Sequence, residues 1–399
     1  MRASEIRQLI QMKPVELDAT RRRLSGCHDI ADMRAAGRRL TPRPVFDYVD
    51  GGADEELSMA ANVRAFRRWR FQPRALAEIT AVDTATRVLD RDLPLPLVLA
   101  PTGYTRMMHP AGEIGAARSA RRHGLPYTLS TMATTTIEAV AEATQPDLWF
   151  QLYILKDSGL TKELVSRAAA AGYRVLVVTV DTVVTGHRTR DQRNGLIIPP
   201  ALTNRTLASI AARPGYWLRM LRGEAIDFAN FAGSGAMTIA RTGTLFNPTV
   251  GWDDIVSLRD GWPGKLILKG PISPEDARRA VSLGADGLQL SNHGGRQLDR
   301  AVSPIDLVAP VRESVGPDVS LLVDSGVRHG SDIAVALALG ADACAIGRAY
   351  LYGLMVGGER GVDQVLDILA DQFSRTLHLL GIRSAADLRA AGRELLVSP

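Results

Sequence analysis

"VLVVTVD", residues 175–181, is apolar throughout except for Thr179 and its closing Asp181. It is too short for an ordinary helix, rich in β-branched valine and without polar alternation, so it reads as a strand covered on both faces. Seven further runs share this character: "LPLVLAP" (95–101), "YTLST" (127–131), "LWFQLY" (148–153), "KLILKG" (265–270), "GLQLSN" (287–292), "SLLVDSG" (320–326) and "ACAIGR" (343–348). Most are separated by stretches such as "SGLTKELVSRAAAAG" (158–172) and "SPEDARRAVSLG" (273–284), with apolar residues three and four apart and a closing glycine. Eight strand-and-helix units of this kind predict an α/β chain folded as a (β/α)8 TIM barrel. A doubly wound open sheet is the competing arrangement. It is disfavoured by the count of eight and by the lack of a glycine-rich dinucleotide fingerprint after the first strand.

The chain has 399 residues, 46% of them hydrophobic, enough to bury one barrel-sized core. Its formal charge of +5 comes from scattered arginines, with one short cluster, "RRRL" at 21–24. That is too dilute for a nucleic-acid partner and favours anionic small molecules or acidic headgroups. Only Cys27 and Cys344 are present, which fits a reducing compartment. Charged residues interrupt the first thirty positions, so no signal core is expected, and no apolar run approaches the roughly 20 residues that span a bilayer. A cytoplasmic protein, at most peripheral on the inner face of the cell membrane, is expected.

Residues 1–90 are expected to form a helical segment packing on the barrel, and 91–390 the barrel itself. The gap after the fourth run, 187–262, is too long for a plain connection and is expected to be a lid or a membrane-associating excursion. Its stretch 207–221 mixes apolar residues, Tyr216, Trp217 and arginines, as an interfacial segment would, although Pro214-Gly215 breaks any long amphipathic helix there.

Catalytic groups of such barrels gather at the carboxyl ends of the strands. In order, those ends carry Gly103, Ser130, Gln151 with Tyr153, Thr179 with Asp181, Lys269, His293 with Arg296, Asp324 with Arg328, and Gly347 with Arg348. The last two pairs, with their glycines, look like a phosphate site, the alternative being surface ion-pair arginines. Lys269 has three readings: imine-forming nucleophile, cation facing an anionic cofactor, or structural ion-pair partner. His293 can take a proton at neutral pH and Arg296 can grip a carboxylate, with Gly294 and Gly295 turning the chain so that both face one pocket. Asp181 could orient His293, whereas an isolated histidine is often only a core residue. No metal-ligand pattern is present.

Six motifs agree in order with a known family. "FDYVDGGADEE" (46–56), "FQLY" (150–153), "TVDT" (179–182), "LKG" (268–270), "SNHGGRQLD" (291–299) and "DSGVRHG" (324–330) together resemble the FMN-dependent L-2-hydroxy-acid oxidising enzymes, over about residues 30–390. These include glycolate oxidase, lactate oxidase, bacterial L-lactate dehydrogenase and mandelate dehydrogenase. The resemblance implies that His293 is the base, paired with Asp181, that Tyr48, Arg188 and Arg296 hold the substrate carboxylate, and that Tyr153 meets the substrate oxygen. For FMN it implies Thr102 and Gly103, the latter's backbone at the flavin N5 edge, then Ser130, Gln151 and Thr179 on the pyrimidine side and Lys269 at N1 and O2. Asp324 falls on the ribityl chain, and Gly326, Arg328, Gly347 and Arg348 fall around the phosphate.

Met132 stands where glycolate oxidase has Trp, and Tyr104 fills another variable pocket position. "GGRQLDRA" (294–301) and "GRAYLYGLMVGG" (347–358) look most like bacterial L-lactate dehydrogenases, and Gly103 replaces the Ala of many oxidases. The implied reaction is L-lactate to pyruvate, with electrons passed to a quinone or another acceptor. O2 as acceptor, or a mandelate-like substrate, is the alternative. The family also implies a homotetramer. Two other classes remain open on the residues alone: a lyase using Lys269 as an imine nucleophile, and a non-catalytic peripheral membrane scaffold.

Overall fold

The eight apolar runs are eight strands: β1 (Leu97–Leu99), β2 (Tyr127–Ser130), β3 (Leu148–Tyr153), β4 (Val175–Thr179), β5 (Lys265–Gly270), β6 (Gly287–Leu290), β7 (Ser320–Val323) and β8 (Ala343–Ile346). Each pairs in parallel with the next, and β8 closes on β1 with Cys344 opposite Leu97, completing a barrel. The computed structural model describes residues 16–144, 148–195, 204–221, 223, 226–231 and 245–397.

Alternation survives inside the apolar runs, where the eye sees none. Val98, Ala100, Trp149, Val175, Val177, Ile267, Leu322, Ala343 and Ala345 form one buried cluster, the barrel interior. Their neighbours, among them Leu99, Phe150, Leu176, Val178, Leu268, Leu290, Val323 and Ile346, pack outward under the helices. Continuing the inward parity to the carboxyl ends gives Gln151 and Tyr153, Thr179, Lys269, Gln289, Asp324 and Gly347. Register sets several of these level, with Tyr153 opposite Thr179, Thr179 opposite Lys269 and Lys269 opposite Gln289. The interior is apolar below and polar at its upper rim.

At the lower end, Asp286 and Asp342 stand just before β6 and β8. Asp286 accepts the backbone N–H of Leu266 at 2.9 Å and pairs with Arg259. Asp342 does the same with Leu321 at 2.7 Å and Arg312. Each carboxylate therefore pins a neighbouring strand.

The N-terminal region folds into helices Ala19–Leu24, Ile30–Leu40, α1 (Arg43–Asp50) and α2 (Leu57–Arg67). Between Arg68 and Leu93 it departs from the helical expectation. Arg70–Phe71 pairs with Leu396–Val397, and Thr86–Val88 and Arg91–Leu93 form a hairpin whose turn, Leu89 and Asp90, lies at positive φ. Val88, Leu89 and Leu93 belong to the interior cluster, and the Leu89 N–H donates to Ser320 Oγ, so this hairpin stoppers the lower end.

After β4 the excursion carries α3 (Thr189–Arg193), then helices Asn204–Ala211 and Pro214–Met220, parted at Arg213 as the proline dictates, and a turn at Ala229–Phe231. Residues 196–203, 222, 224–225 and 232–244 of the excursion lie outside the described residues. Helix Trp252–Gly261 leads into β5. Among the described residues no helix is long and apolar enough to cross a membrane.

Candidate active site

Three consecutive left-handed residues, His293 (φ 58°), Gly294 (φ 69°) and Gly295 (φ 74°), turn the chain just beyond β6. A Cβ at Gly295 would lie 2.5 Å from the Met59 backbone nitrogen of α2, and one at Gly294 would lie 2.5 Å from the Arg348 guanidinium. Glycine is required at both. The turn is also tied to α2 by a reciprocal amide pair, Asn62 and Asn292, at 2.8 and 2.7 Å. Only the non-glycine at its start, His293, reaches into the mouth.

His293 Nδ1 lies 3.2 Å from Asp181 Oδ1, and Nε2 lies 3.4 Å from the Tyr153 hydroxyl. With Nδ1–H given to Asp181, Nε2 presents its lone pair to the mouth. Burial lowers the His293 pKa below its ordinary 6.5, against the pull of Asp181, and Lys269 and Arg296 add to the lowering. Burial alone would raise the Asp181 carboxyl, but His293, Lys269 and Thr182 bring it down to about 2. Tyr153 is raised, chiefly by burial and then by Asp181, so it stays a donor. A neutral imidazole backed by a fixed anion can accept a proton and be stabilised once charged. Asp181 Oδ2 is buried with no partner, while Gln297 Nε2 holds the Asp181 carbonyl at 3.0 Å.

Beside this group, α1 supplies Tyr48, whose ring is flanked by two guanidinium carbons, Arg296 at 5.1 Å and Arg188 at 5.7 Å from its centroid. Arg296 donates to the Tyr48 carbonyl at 2.6 Å and the Gly51 carbonyl at 3.0 Å, and Arg188 pairs with Asp191. Burial and the nearby Arg188 both lower the Arg296 pKa, the signature of two cations facing a shared space.

The upper rim is hydrogen-bonded almost continuously. Ser130 Oγ donates to Gln151 Oε1 at 3.1 Å, and Gln151 Nε2 to Thr179 Oγ1 at 3.0 Å. Lys269 Nζ donates to Ser291 Oγ at 3.0 Å and stands 3.9 Å from Asp324 Oδ2, which also accepts Gln289 Nε2 at 2.7 Å. Thr102 Oγ1 meets Thr105 and Tyr350, and Gly103 packs on Met132, where a Cβ would come within 3.1 Å. Tyr104 (φ 55°) turns its ring against Phe228 of the excursion, centroids 4.5 Å apart.

The sequence-derived set therefore falls into one mouth, with two particulars it did not anticipate. The Arg348 guanidinium is spent on three carbonyls, those of Val49, Gly51 and Gly294, and Arg328 Nη1 donates to the Val327 carbonyl. Ser291, Gln289, Gln297, Asn62 and Phe228 belong to the site and were not foreseen. Gln289, a lone polar residue within "GLQL", carried a signal in its inward parity; Asn62 and Phe228 carried none.

This rim suits FMN. It offers a polar edge (Ser130, Gln151, Thr179) and a buried cation (Lys269) in one layer. At Gly347 a Cβ would find nothing closer than 3.7 Å, so that glycine is not demanded by packing and leaves a cradle above Ala100 and Thr102. The chain matches the family described as FMN-dependent dehydrogenase over residues 37–394. A protein of Mycobacterium tuberculosis provisionally named L-lactate dehydrogenase is 44% identical over 388 residues, 97% of this chain and 94% of that one. The L-lactate dehydrogenase of Allorhizobium ampelinum is 40% identical, covering 90% of this chain and 96% of its own length. Among solved structures, the monotopic membrane protein (S)-mandelate dehydrogenase superposes with a TM-score of 0.89 at 37% identity, covering 94% of this chain and all of that one. With that agreement over nearly its whole length, the chain belongs to the FMN-dependent dehydrogenase family and is an FMN-carrying oxidoreductase.

Proposed function

We propose that the protein oxidises an L-2-hydroxy acid, L-lactate foremost, to its 2-oxo acid, with electrons leaving to a quinone or another carrier. The observation that carries this reading is the convergence of His293, backed by Asp181, with Tyr153 and the Tyr48, Arg296 and Arg188 cluster. Two guanidinium groups and a phenol bind a carboxylate and so orient the adjoining CH–OH carbon. Oxidation removes two electrons and two protons from that group. His293 Nε2 accepts one proton, Asp181 stabilises the resulting imidazolium, and the Tyr153 hydroxyl donates to the substrate oxygen. FMN, when bound, would take up the electron pair and the second proton. Thr102, Gly103, Ser130, Gln151, Thr179 and Lys269 would hold its ring, and Asp324 its ribityl chain. Gly326, Arg328, Gly347 and Arg348 would surround its phosphate, Arg348 through the N–H that opens helix Arg348–Gly357.

An aromatic side chain is the second substrate reading, favoured by the Tyr104 and Phe228 wall. Peripheral membrane contact is supported by Leu207, Leu218 and Leu221, all exposed on the excursion helices or just beyond them. The purified yellow enzyme should bleach anaerobically with L-lactate; repeating this with mandelate, 2-hydroxybutyrate and glycolate ranks substrates, and admitting air tests O2 as acceptor. A flavin-loaded protein that none of these acids bleaches would overturn the reading.

A further inference from the structure

Arg188 reaches the Tyr48 ring from a loop, and the segment behind it is fastened with unusual density. Residues 187–194 run alongside residues 47–56 and are joined to them through His187, Thr189, Arg190 and Asn194. His187 Nδ1 meets Asp54 Oδ1 at 2.7 Å, and Asn194 Nδ2 donates to Asp47 Oδ2 at 2.8 Å. Between them Arg190 of α3 donates to Asp50 Oδ2 at 3.0 Å and to Glu56 Oε2. Asp50 is only 3% exposed and also accepts Arg34 Nη2 and the Tyr352 hydroxyl, each at 2.8 Å, so Arg190 grips an anion that is itself immobile. Glu56 in turn accepts the Gly52 N–H at 3.0 Å. The clasped turn is the one whose Tyr48 and Gly51 carbonyls hold Arg296.

We infer that Arg190 is a positioning residue: by clasping Asp50 and Glu56 it registers α3 against α1, and so holds the Arg188 guanidinium over Tyr48, opposite Arg296, ready for a carboxylate. A loop arginine held only by its own Asp191 would lose side-chain freedom on binding each substrate, and the clasp removes part of that cost beforehand. The inference rests on the carboxylate-gripping reading of Arg188, Arg296 and Tyr48.

The test is a double-mutant cycle on the flavin-loaded enzyme, with pyruvate affinity read from perturbation of the flavin absorbance and with lactate kinetics in parallel. Arg188→Lys should weaken pyruvate binding by itself. Arg190→Gln should weaken it roughly tenfold and raise KM with a smaller change in kcat, as the loss of ground-state positioning does. Arg190→Lys should restore part of the affinity. In the Arg188→Lys background, Arg190→Gln should cost little more, because the guanidinium it positions is already gone. Glu56→Gln, which leaves Arg190 and Asp50 in place, should give a smaller shift of the same kind and serves if Arg190→Gln folds poorly. Unchanged pyruvate affinity in Arg190→Gln and Glu56→Gln, or equal losses in both backgrounds, overturns the clasp while leaving the carboxylate reading intact. Unchanged affinity in Arg188→Lys overturns the carboxylate reading and the clasp with it.

Discussion

His293 holds a backbone conformation that side chains other than glycine seldom adopt, and it does so between Asp181 and Tyr153. A residue fixed in that way is suited to proton transfer, because its free nitrogen is aimed before substrate arrives. Replacing it by Ala should leave the flavin spectrum intact and slow reduction by lactate about a thousandfold, within the range for loss of a general base. In the parent enzyme kcat/KM should fall only in acid: the neutral form is the active one, its share grows as pH rises through the pKa, and burial places that pKa below 6.5. In Asp181→Asn the group that most raises the His293 pKa is gone, so the acid limb should move lower still while the plateau drops about a hundredfold. A limb that moved upward in pH–rate profiles would contradict this assignment. At this scale the sequence was legible wherever a residue ends a strand, since parity then aims its side chain. It was illegible for Arg348, whose direction depends on carbonyls of a turn some three hundred residues away in the chain.

Among elements, the turn Ala229–Phe231 shows how a long excursion contributes to a pocket it barely touches in sequence. Ala229 N–H donates to the Ala133 carbonyl at 3.2 Å, and Asn230 accepts the Ile137 N–H at 3.0 Å, so Phe228 is delivered rigidly against Tyr104. Shortening it to Leu removes half of the aromatic wall and should lower kcat/KM for mandelate relative to lactate by about tenfold, the scale of pocket discrimination by one apolar group. An unchanged ratio would remove Phe228 from the specificity wall. Nothing in "DFANF" announced this, because the contact is made by chain return and not by periodicity. The repeated "GAD" before β6 and β8, by contrast, has a local cause, a carboxylate pinning the neighbouring strand. Asp342→Asn leaves Arg312 largely buried without its main counter-charge and should lower stability by about 3 kcal/mol, checked by the urea midpoint.

For the whole molecule, the barrel was readable because parallel strands buried on both faces cannot hide polar residues, so their runs stand out from the helices between them. The hairpin at 86–93 was not, since its short strands sit in charged sequence and its few apolar residues, Val88, Leu89 and Leu93, find their partners only once the barrel has closed. That hairpin bears on traffic. With the lower end stoppered and the interior filled by Trp149, Ile267 and Leu322, the described residues leave the upper mouth as the way in. The hydroxy acid and whatever later collects the electrons must take turns at it, the 2-oxo acid leaving before the collector comes in. Initial rates measured against both reactants should therefore give parallel double-reciprocal lines, and lines that converge would mean a second way in.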